Sequence, residues 1–215
     1  MNKYNIHILT AFWKRPEITE IFIQGCKRLG YPVTASVSEE NYIPICQLHG
    51  IDYVLTANTP LGAKWNAGLK QALKSEWDYL LILGSDDLIS NCLIDRYMSY
   101  DGWDMIGVKD FYMYDIDTQR VKYFEGYNKD MSIGAGRLIK RKVIKKCRDL
   151  WSYRRNKGLD GQCSKRIKIR GFRELIIPMG NSSVVDIKSK TNMNSFEKIT
   201  GVEVSRCVLD NIPEL

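Results

Sequence analysis

Tyr79-Leu-Leu-Ile-Leu83 runs straight into Gly84-Ser-Asp-Asp87. A short unbroken apolar run of this kind is the pattern of a strand buried on both faces, as in the centre of a parallel sheet covered by helices. Gly84 and Ser85 mark a turn, so two adjacent carboxylates fall at the strand's carboxyl end. Held side by side, Asp86 and Asp87 repel each other, and a divalent cation shared with a phosphate would relieve that cost. An all-oxygen donor set of this type suits Mg²⁺ or Mn²⁺. The competing reading is a helix cap, with Asp86 or Asp87 accepting from the free N–H groups of a following helix.

Upstream, the same logic repeats. Ile6-His-Ile-Leu-Thr-Ala-Phe12 is a second apolar run, and it ends at Trp13-Lys-Arg-Pro16, where Pro opens a helix. Ile18, Ile21, Phe22 and Leu29 then share one helical face up to Gly30. Val33-Thr-Ala-Ser-Val37 and Tyr53-Val-Leu55 predict two further strands, and Thr59-Pro-Leu-Gly62 opens a helix carrying Trp65, Leu69, Ala72 and Leu73. Strand and helix thus alternate over the first 90 residues, which predicts an α/β fold with a mainly parallel central sheet. Ligands in such sheets sit beyond the carboxyl ends of the strands, where strand order reverses. The segments to watch are therefore 10–16, 38–41 and 84–87.

Downstream the pattern loosens. Short strands are predicted at Met105–Val108 and Val121–Phe124, and Ser132-Ile-Gly-Ala-Gly136 is a glycine loop. Residues 137–151 then read as one basic amphipathic helix, with Ile139, Val143, Cys147 and Leu150 on its apolar face and Lys140, Arg141, Lys142, Lys145 and Lys146 over much of the rest. Another helix is predicted around 161–168, followed by short strands and a tail. Neither a Rossmann fingerprint nor a phosphate-loop motif occurs.

The 215 residues predict a single domain, with a Pro plus Gly content of 22 that excludes collagenous and low-complexity scaffolds. No apolar run reaches the ~18 residues of a membrane span, and the first residues lack a secretory h-region, so a cytoplasmic location is expected. The six cysteines contain no C-x-x-C pair, and with only two histidines a Cys/His metal site is disfavoured; the thiols are expected to be reduced. The net charge of +7 is concentrated in residues 137–173, where 15 basic side chains face 2 acidic ones. Such a block suits an anionic partner, while its plain alternative is a solvated helix face.

Four segments, in order, resemble the GT-A glycosyltransferases, above all glycosyltransferase family 2. Leu9-Thr-Ala-Phe-Trp-Lys-Arg-Pro16 is similar to that family's opening strand and its nucleotide-contacting turn, and Ser38-Glu39 lies where its base-reading acidic loop would be. Leu61-Gly-Ala-Lys-Trp-Asn-Ala-Gly-Leu69 resembles its Gly-x-x-x-Ala-Arg-Asn-x-Gly helix, with Trp65 in place of the usual Arg. Gly84-Ser85-Asp86 lies where the Asp-x-Asp metal motif belongs, with Gly84 replacing the first Asp and Asp87 following.

The resemblance implies a GT-A-like domain over 1–215, with a nucleotide-binding half in 1–90 and an acceptor-binding half in 91–215. It implies transfer of a sugar, of the hexosyl type, from a nucleotide-sugar to an acceptor hydroxyl, with a UDP-sugar as the expected donor and inversion as the expected outcome. Thr10, Ala11, Trp13, Arg15, Ser38, Glu39, Gly62, Lys64, Asn66, Ser85 and Asp86 would form the nucleotide-sugar pocket. Asp86 and Asp87 would hold Mn²⁺ or Mg²⁺. Asp160, in Lys157-Gly-Leu-Asp-Gly-Gln162, resembles the family's late acidic motif and would be the catalytic base; a helix N-cap is its structural alternative, and Asp110 and Asp115 compete for the role. The basic block suits a polyanionic acceptor such as modified DNA or a lipid-linked or phosphate polymer. Two rivals remain: a nucleotidyltransferase making an activated sugar, against which the glycine-free Trp13-Lys-Arg-Pro16 speaks, and a non-catalytic nucleic-acid-binding protein.

Overall fold

The computed structural model describes residues 3–127, 130–190 and 196–215. Strand β1 (Ile6–Phe12) leads through helix α1 (Pro16–Leu29) to β2 (Val33–Val37), then α2 (Ile43–Leu48), β3 (Asp52–Leu55), α3 (Leu61–Ala72) and β4 (Tyr79–Ile82). Pro16 opens α1, and Gly30, left-handed at φ 71°, closes it. β1 pairs in parallel with β2 on one side and β4 on the other, and β2 pairs in parallel with β3. The chain therefore steps outward from β1 to β3 and returns through α3 to the other flank of β1. That reversal leaves a crevice over the carboxyl ends of β1 and β4, as expected for an open α/β sheet.

The second half of the chain extends this sheet and builds another. Its elements are β5 (Asp87–Ile89), α4 (Asn91–Met98), β6 (Met105–Val108), β7 (Phe111–Asp115), β8 (Val121–Phe124), β9 (Arg137–Lys140), α5 (Arg141–Cys147), α6 (Leu159–Ile169), β10 (Glu174–Ile177), β11 (Val184–Lys188) and β12 (Val202–Val204). The central sheet has seven strands in the order β10-β6-β9-β4-β1-β2-β3, and a five-stranded sheet has the order β12-β8-β7-β11-β5. Among the described residues only β9 opposes its neighbours in the central sheet, running antiparallel to both β4 and β6.

Residues 137–151 do not form the single helix that their periodicity predicts. The first four are β9, and only Arg141–Cys147 is helical. Ile139, Val143, Cys147 and Leu150 nevertheless bury into one apolar cluster with Leu69, Leu80 and Ile167. A strand followed by a helix satisfies the same spacing of buried positions, so periodicity alone could not separate the two.

That cluster lies under α3, α5 and α6 on one face of the central sheet; a second cluster packs α1 against the other face through Phe12, Phe22 and Ile23. A third joins α1 to the small sheet and the chain's end, where Ile18, Leu88, Val185, Leu209 and Ile212 meet. Arg28 clamps this corner by its ion pair to Glu214 at 2.7 Å. The C-terminal residues contribute Phe196, Leu209 and Ile212 to the core, while most of 197–208 is exposed; residues 191–195 lie outside the described residues. All six cysteines are free thiols. Among the described residues no helix is long and apolar enough to cross a membrane.

Candidate active site

A cleft of about 790 Å³ opens over the β1/β4 boundary, within the range of roughly 300–1,000 Å³ typical of small-molecule sites. Its floor is the turn after β4. There Asp87 N–H donates to the Gly84 carbonyl at 3.1 Å, and Gly84 N–H donates to Asp87 Oδ2 at 2.6 Å. No helix follows this turn: β5 begins at Asp87, so neither Asp86 nor Asp87 is a helix cap.

Strand pairing completes the acidic group. In the antiparallel β5–β11 register, Asp186 stands directly opposite Asp87. Asp86, Asp87 and Asp186 each offer an oxygen within 4.8 Å of the others'. Like charges placed this way are unfavourable on their own. Burial, reinforced by the neighbouring carboxylates, holds Asp87 well above the usual carboxylate range. Burial likewise pushes Asp186 up to about 6, although Lys188 pulls the other way.

Two cations offset the cluster. Arg15 donates from Nη1 to Asp86 Oδ2 at 2.7 Å and lies 3.4 Å from Ser85 Oγ. Lys188 Nζ pairs with Asp186 Oδ2. Asp186 Oδ1 stays buried without a hydrogen-bond partner among the described residues. Three converging carboxylates, one with an orphaned buried oxygen, form a hard all-oxygen donor set, and these residues fit a divalent cation.

Arg15 reaches Asp86 from a strained turn. Lys14 and Arg15 both have left-handed backbones, at φ 53° and 57°, a conformation that costs a residue with a Cβ on the order of 1–3 kcal/mol. Lys14 N–H donates to Glu39 Oε2 at 2.9 Å, and Tyr42 hydroxyl donates to the Lys14 carbonyl, so the loop after β2 holds this turn from behind.

Of the sequence-derived pocket residues, Ala11, Trp13, Arg15, Lys64, Ser85, Asp86 and Asp87 line the cleft together with Asp160. Lys64 is buried beneath it, donating to the Phe12 carbonyl at 2.6 Å and to Asn58 Oδ1 at 3.1 Å. Burial pushes its ammonium down to about 8. Thr10, Ser38, Glu39, Gly62 and Asn66 stand behind the lining. Thr10 is fully buried within β1. Asn66 donates to the Trp151 carbonyl at 2.8 Å and accepts from Leu150 and Trp151 N–H, stapling that segment to α3. A Cβ on Gly62 would lie 2.0 Å from the Ser152 carbonyl oxygen. The glycine is needed for loop 152–155 to close on α3, where Gly62 N–H donates to the Arg155 carbonyl at 2.9 Å.

The opposite wall is the start of α6. Asp160 is in its first turn, but the cap position belongs to Gly158. Its carboxylate lies against Gly134, where a Cβ would come within 2.4 Å of Oδ1. Arg137, buried, bridges this wall to the glycine loop, donating to the Asp160 carbonyl at 3.0 Å and to Ser132 Oγ at 2.9 Å. The competing acids serve other purposes. Asp110 accepts from Met179 N–H and Tyr123 hydroxyl, both at 2.6 Å, and Asp115 accepts within its own turn, from Thr118 Oγ1 at 2.5 Å.

The basic block divides on folding. Arg137, Arg141 and Arg166 donate to carbonyls of the fold, while Lys142 and Lys168 pair with Asp104 and Glu174. Arg154, Arg155 and Lys157 are exposed and form no ion pair among the described residues, and Lys157 lines the mouth of the cleft.

Asp186 and Lys188 are the residues of this cleft cluster that motif reading missed. Asp186-Ile-Lys188 is an ordinary alternating strand in sequence; only its register against Asp87 gives it a site.

Strand order and crevice define the class: an α/β fold of the GT-A type. No family model and no curated protein matches the chain in sequence. Among solved structures, the inositol-1-phosphate CTP transferase from T. maritima matches at TM-score 0.58 and 13% identity, over 99% of this chain and 98% of that one. S. aureus TarS 1-349 matches at TM-score 0.55 and 11% identity, over 87% of this chain. The same TarS fragment in complex with UDP matches at TM-score 0.52 and 12% identity, over 97% of this chain. The chain spans 58% of the TarS fragment's length in the first alignment and 64% in the second. At these identities the shared feature is the fold.

Proposed function

We propose that the protein is a cation-assisted glycosyltransferase that moves a sugar from a nucleotide-sugar, a UDP-sugar first among the candidates, to an acceptor hydroxyl. The observation that carries this reading is the converging group Asp86, Asp87 and Asp186, of which Asp87 is buried, set with Arg15 and Lys188 in a ligand-sized cleft at the β1/β4 boundary. A fold shared with a UDP-bound TarS fragment supports it.

In this reading Asp86, Asp87 and Asp186 hold Mg²⁺ or Mn²⁺, which when bound neutralises charge on the diphosphate. Arg15 and Lys188 add fixed positive charge on the same side, where negative charge grows as the sugar–phosphate bond breaks. Trp13 offers an aromatic face beside the nucleotide. Asp160, on the facing wall, takes the acceptor hydroxyl's proton as its oxygen bonds to the anomeric carbon. The bonding pair of the broken C–O bond leaves with the nucleoside diphosphate, and the configuration inverts. Lys157 at the mouth, with the exposed Arg154 and Arg155 on the same loop, suits an acceptor bearing phosphate groups.

The test is donor hydrolysis without acceptor across UDP-, GDP- and CMP-sugars with Mn²⁺, comparing the native protein with Asp86→Asn. Release of one nucleoside diphosphate or monophosphate, lost in the variant, is the expected result. A second reading, nucleotidyl transfer to a phosphorylated alcohol, is favoured by the end-to-end match to the CTP transferase. Pyrophosphate release from CTP or UTP, with no cleavage of any nucleotide-sugar, would establish it instead.

A further inference from the structure

The carboxylate group already carries its own cations, and this bears on how a metal ion could enter. Asp86 has one oxygen engaged by Arg15 at 2.7 Å. Asp87 has one engaged by Gly84 N–H at 2.6 Å, and Asp186 has one engaged by Lys188. Among the described residues, three carboxylates thus face two cations, Arg15 and Lys188, in a corner where Asp87 and Lys188 are at most 9% exposed. Counting the described residues, a divalent ion arriving alone would set four positive charges against at most three negative ones in a partly buried corner, where water screens them less than in bulk.

We propose that Arg15 is an exchangeable counter-ion: it occupies Asp86 when no ligand is present, and it transfers to the ligand's diphosphate when a divalent cation takes its place. The guanidinium is suited to both partners, since its planar fork matches carboxylate and phosphate oxygens alike. Arg15 and Lys188 both line the cleft, so Arg15 need not leave the site to change partner. The incoming diphosphate supplies the negative charge that the cation alone would lack. Cation and diphosphate therefore bind as a coupled pair, each tightening the other by the same factor. This deepens the transferase reading, on which the diphosphate depends.

Mn²⁺ binding, followed by the electron paramagnetic resonance signal of the free ion, tests it with and without saturating UDP. The native protein should bind Mn²⁺ alone weakly, and about tenfold or more tightly with UDP present. Arg15→Gln should bind Mn²⁺ alone about tenfold more tightly, with the UDP effect reduced by the same factor, and Arg15→Lys should restore native behaviour. Lys188→Gln should shift Mn²⁺ affinity in the same direction, which keeps the test open if Arg15→Gln fails to fold. Tight Mn²⁺ binding by the native protein alone would overturn the inference. So would unchanged affinity in a folded Arg15→Gln, or no Mn²⁺ binding under any condition. The two readings fail separately. Coupled Mn²⁺ and UDP binding without cleavage of any nucleotide-sugar removes the glycosyltransferase and leaves the exchange; Asp86-dependent cleavage with unaltered Mn²⁺ affinity in Arg15→Gln does the reverse.

Discussion

On the β4 side of the cleft, Asp86, Asp87 and Asp186 are interlocked with Arg15 and Lys188 and largely shut away from water. On the α6 side, Asp160 faces the cleft and Arg154, Arg155 and Lys157 stand in solvent without ion-pair partners among the described residues. The contrast separates two tasks. The buried side is organised before any ligand arrives, which is what the proposed transferase reading asks of a centre that stabilises developing charge. The open side is tied to α3 by Gly62 N–H donating to the Arg155 carbonyl and Leu61 N–H donating to Asn156 Oδ1. It leaves its cations available to a partner whose shape the fold does not dictate.

The largest effect expected is on the buried side. Asp86→Asn should lower nucleotide-sugar hydrolysis on the order of 10³-fold. Retained hydrolysis would show that the carboxylate group is structural, and the contrast between the walls would collapse. Next comes Asp160→Asn, for which transfer to an acceptor should fall about 10²-fold while acceptor-free hydrolysis and UDP binding stay near native. Equal loss of both activities would make Asp160 part of the donor site.

A third measurement guards the comparison against a trivial pH effect. His7 is 5% exposed, hydrogen-bonded to Thr34 Oγ1 at 2.8 Å, and burial pushes its imidazole down to about 4 from an ordinary 6.5. The folded state binds the proton less tightly than the unfolded one. Stability from neutral His7 is therefore complete above pH 6.5 and is lost as pH falls towards 4, by about 3 kcal/mol in all. Urea titrations between pH 7 and 4 should show this, and His7→Gln should flatten the dependence. An acid limb in activity at a pH where the melt is unchanged would then belong to the site. The smallest effect belongs to the open wall. Replacing Arg154, Arg155 and Lys157 with Gln should weaken binding of a polyphosphate about tenfold at low salt and reduce its salt dependence, with donor hydrolysis unaltered. Native affinity in that variant would return these cations to plain surface.

Legibility in the sequence follows the range of the signal. Val33–Val37 and the opening of α1 at Pro16 are read to the residue, because apolar runs and turn residues decide them locally. Asp86 and Asp87 were visible for the same reason, as carboxylates ending a buried run. β9 was not, because Ile139 and Val143 keep one core-facing spacing through a strand and a helix alike. Gly62 and Asn66 were legible as a motif but not in their task, which is to seat residues 150–155 on α3.

By itself the sequence determined the α/β alternation, the acidic turn at the end of a central strand and the clustering of positive charge in residues 137–173. Only the tertiary structure decided that Asp186 joins Asp86 and Asp87, that Arg15 and Lys188 pair with them, and which cations of the basic block pair with acids of the fold. The physical reason is distance along the chain. A strand or a turn is settled by side chains a few residues apart, whereas Asp186 meets Asp87 through the register of β11 against β5. That register is chosen by the burial of Val184 and Val185 with Leu88 and Ile89, residues that carry no chemical signature of the site they complete.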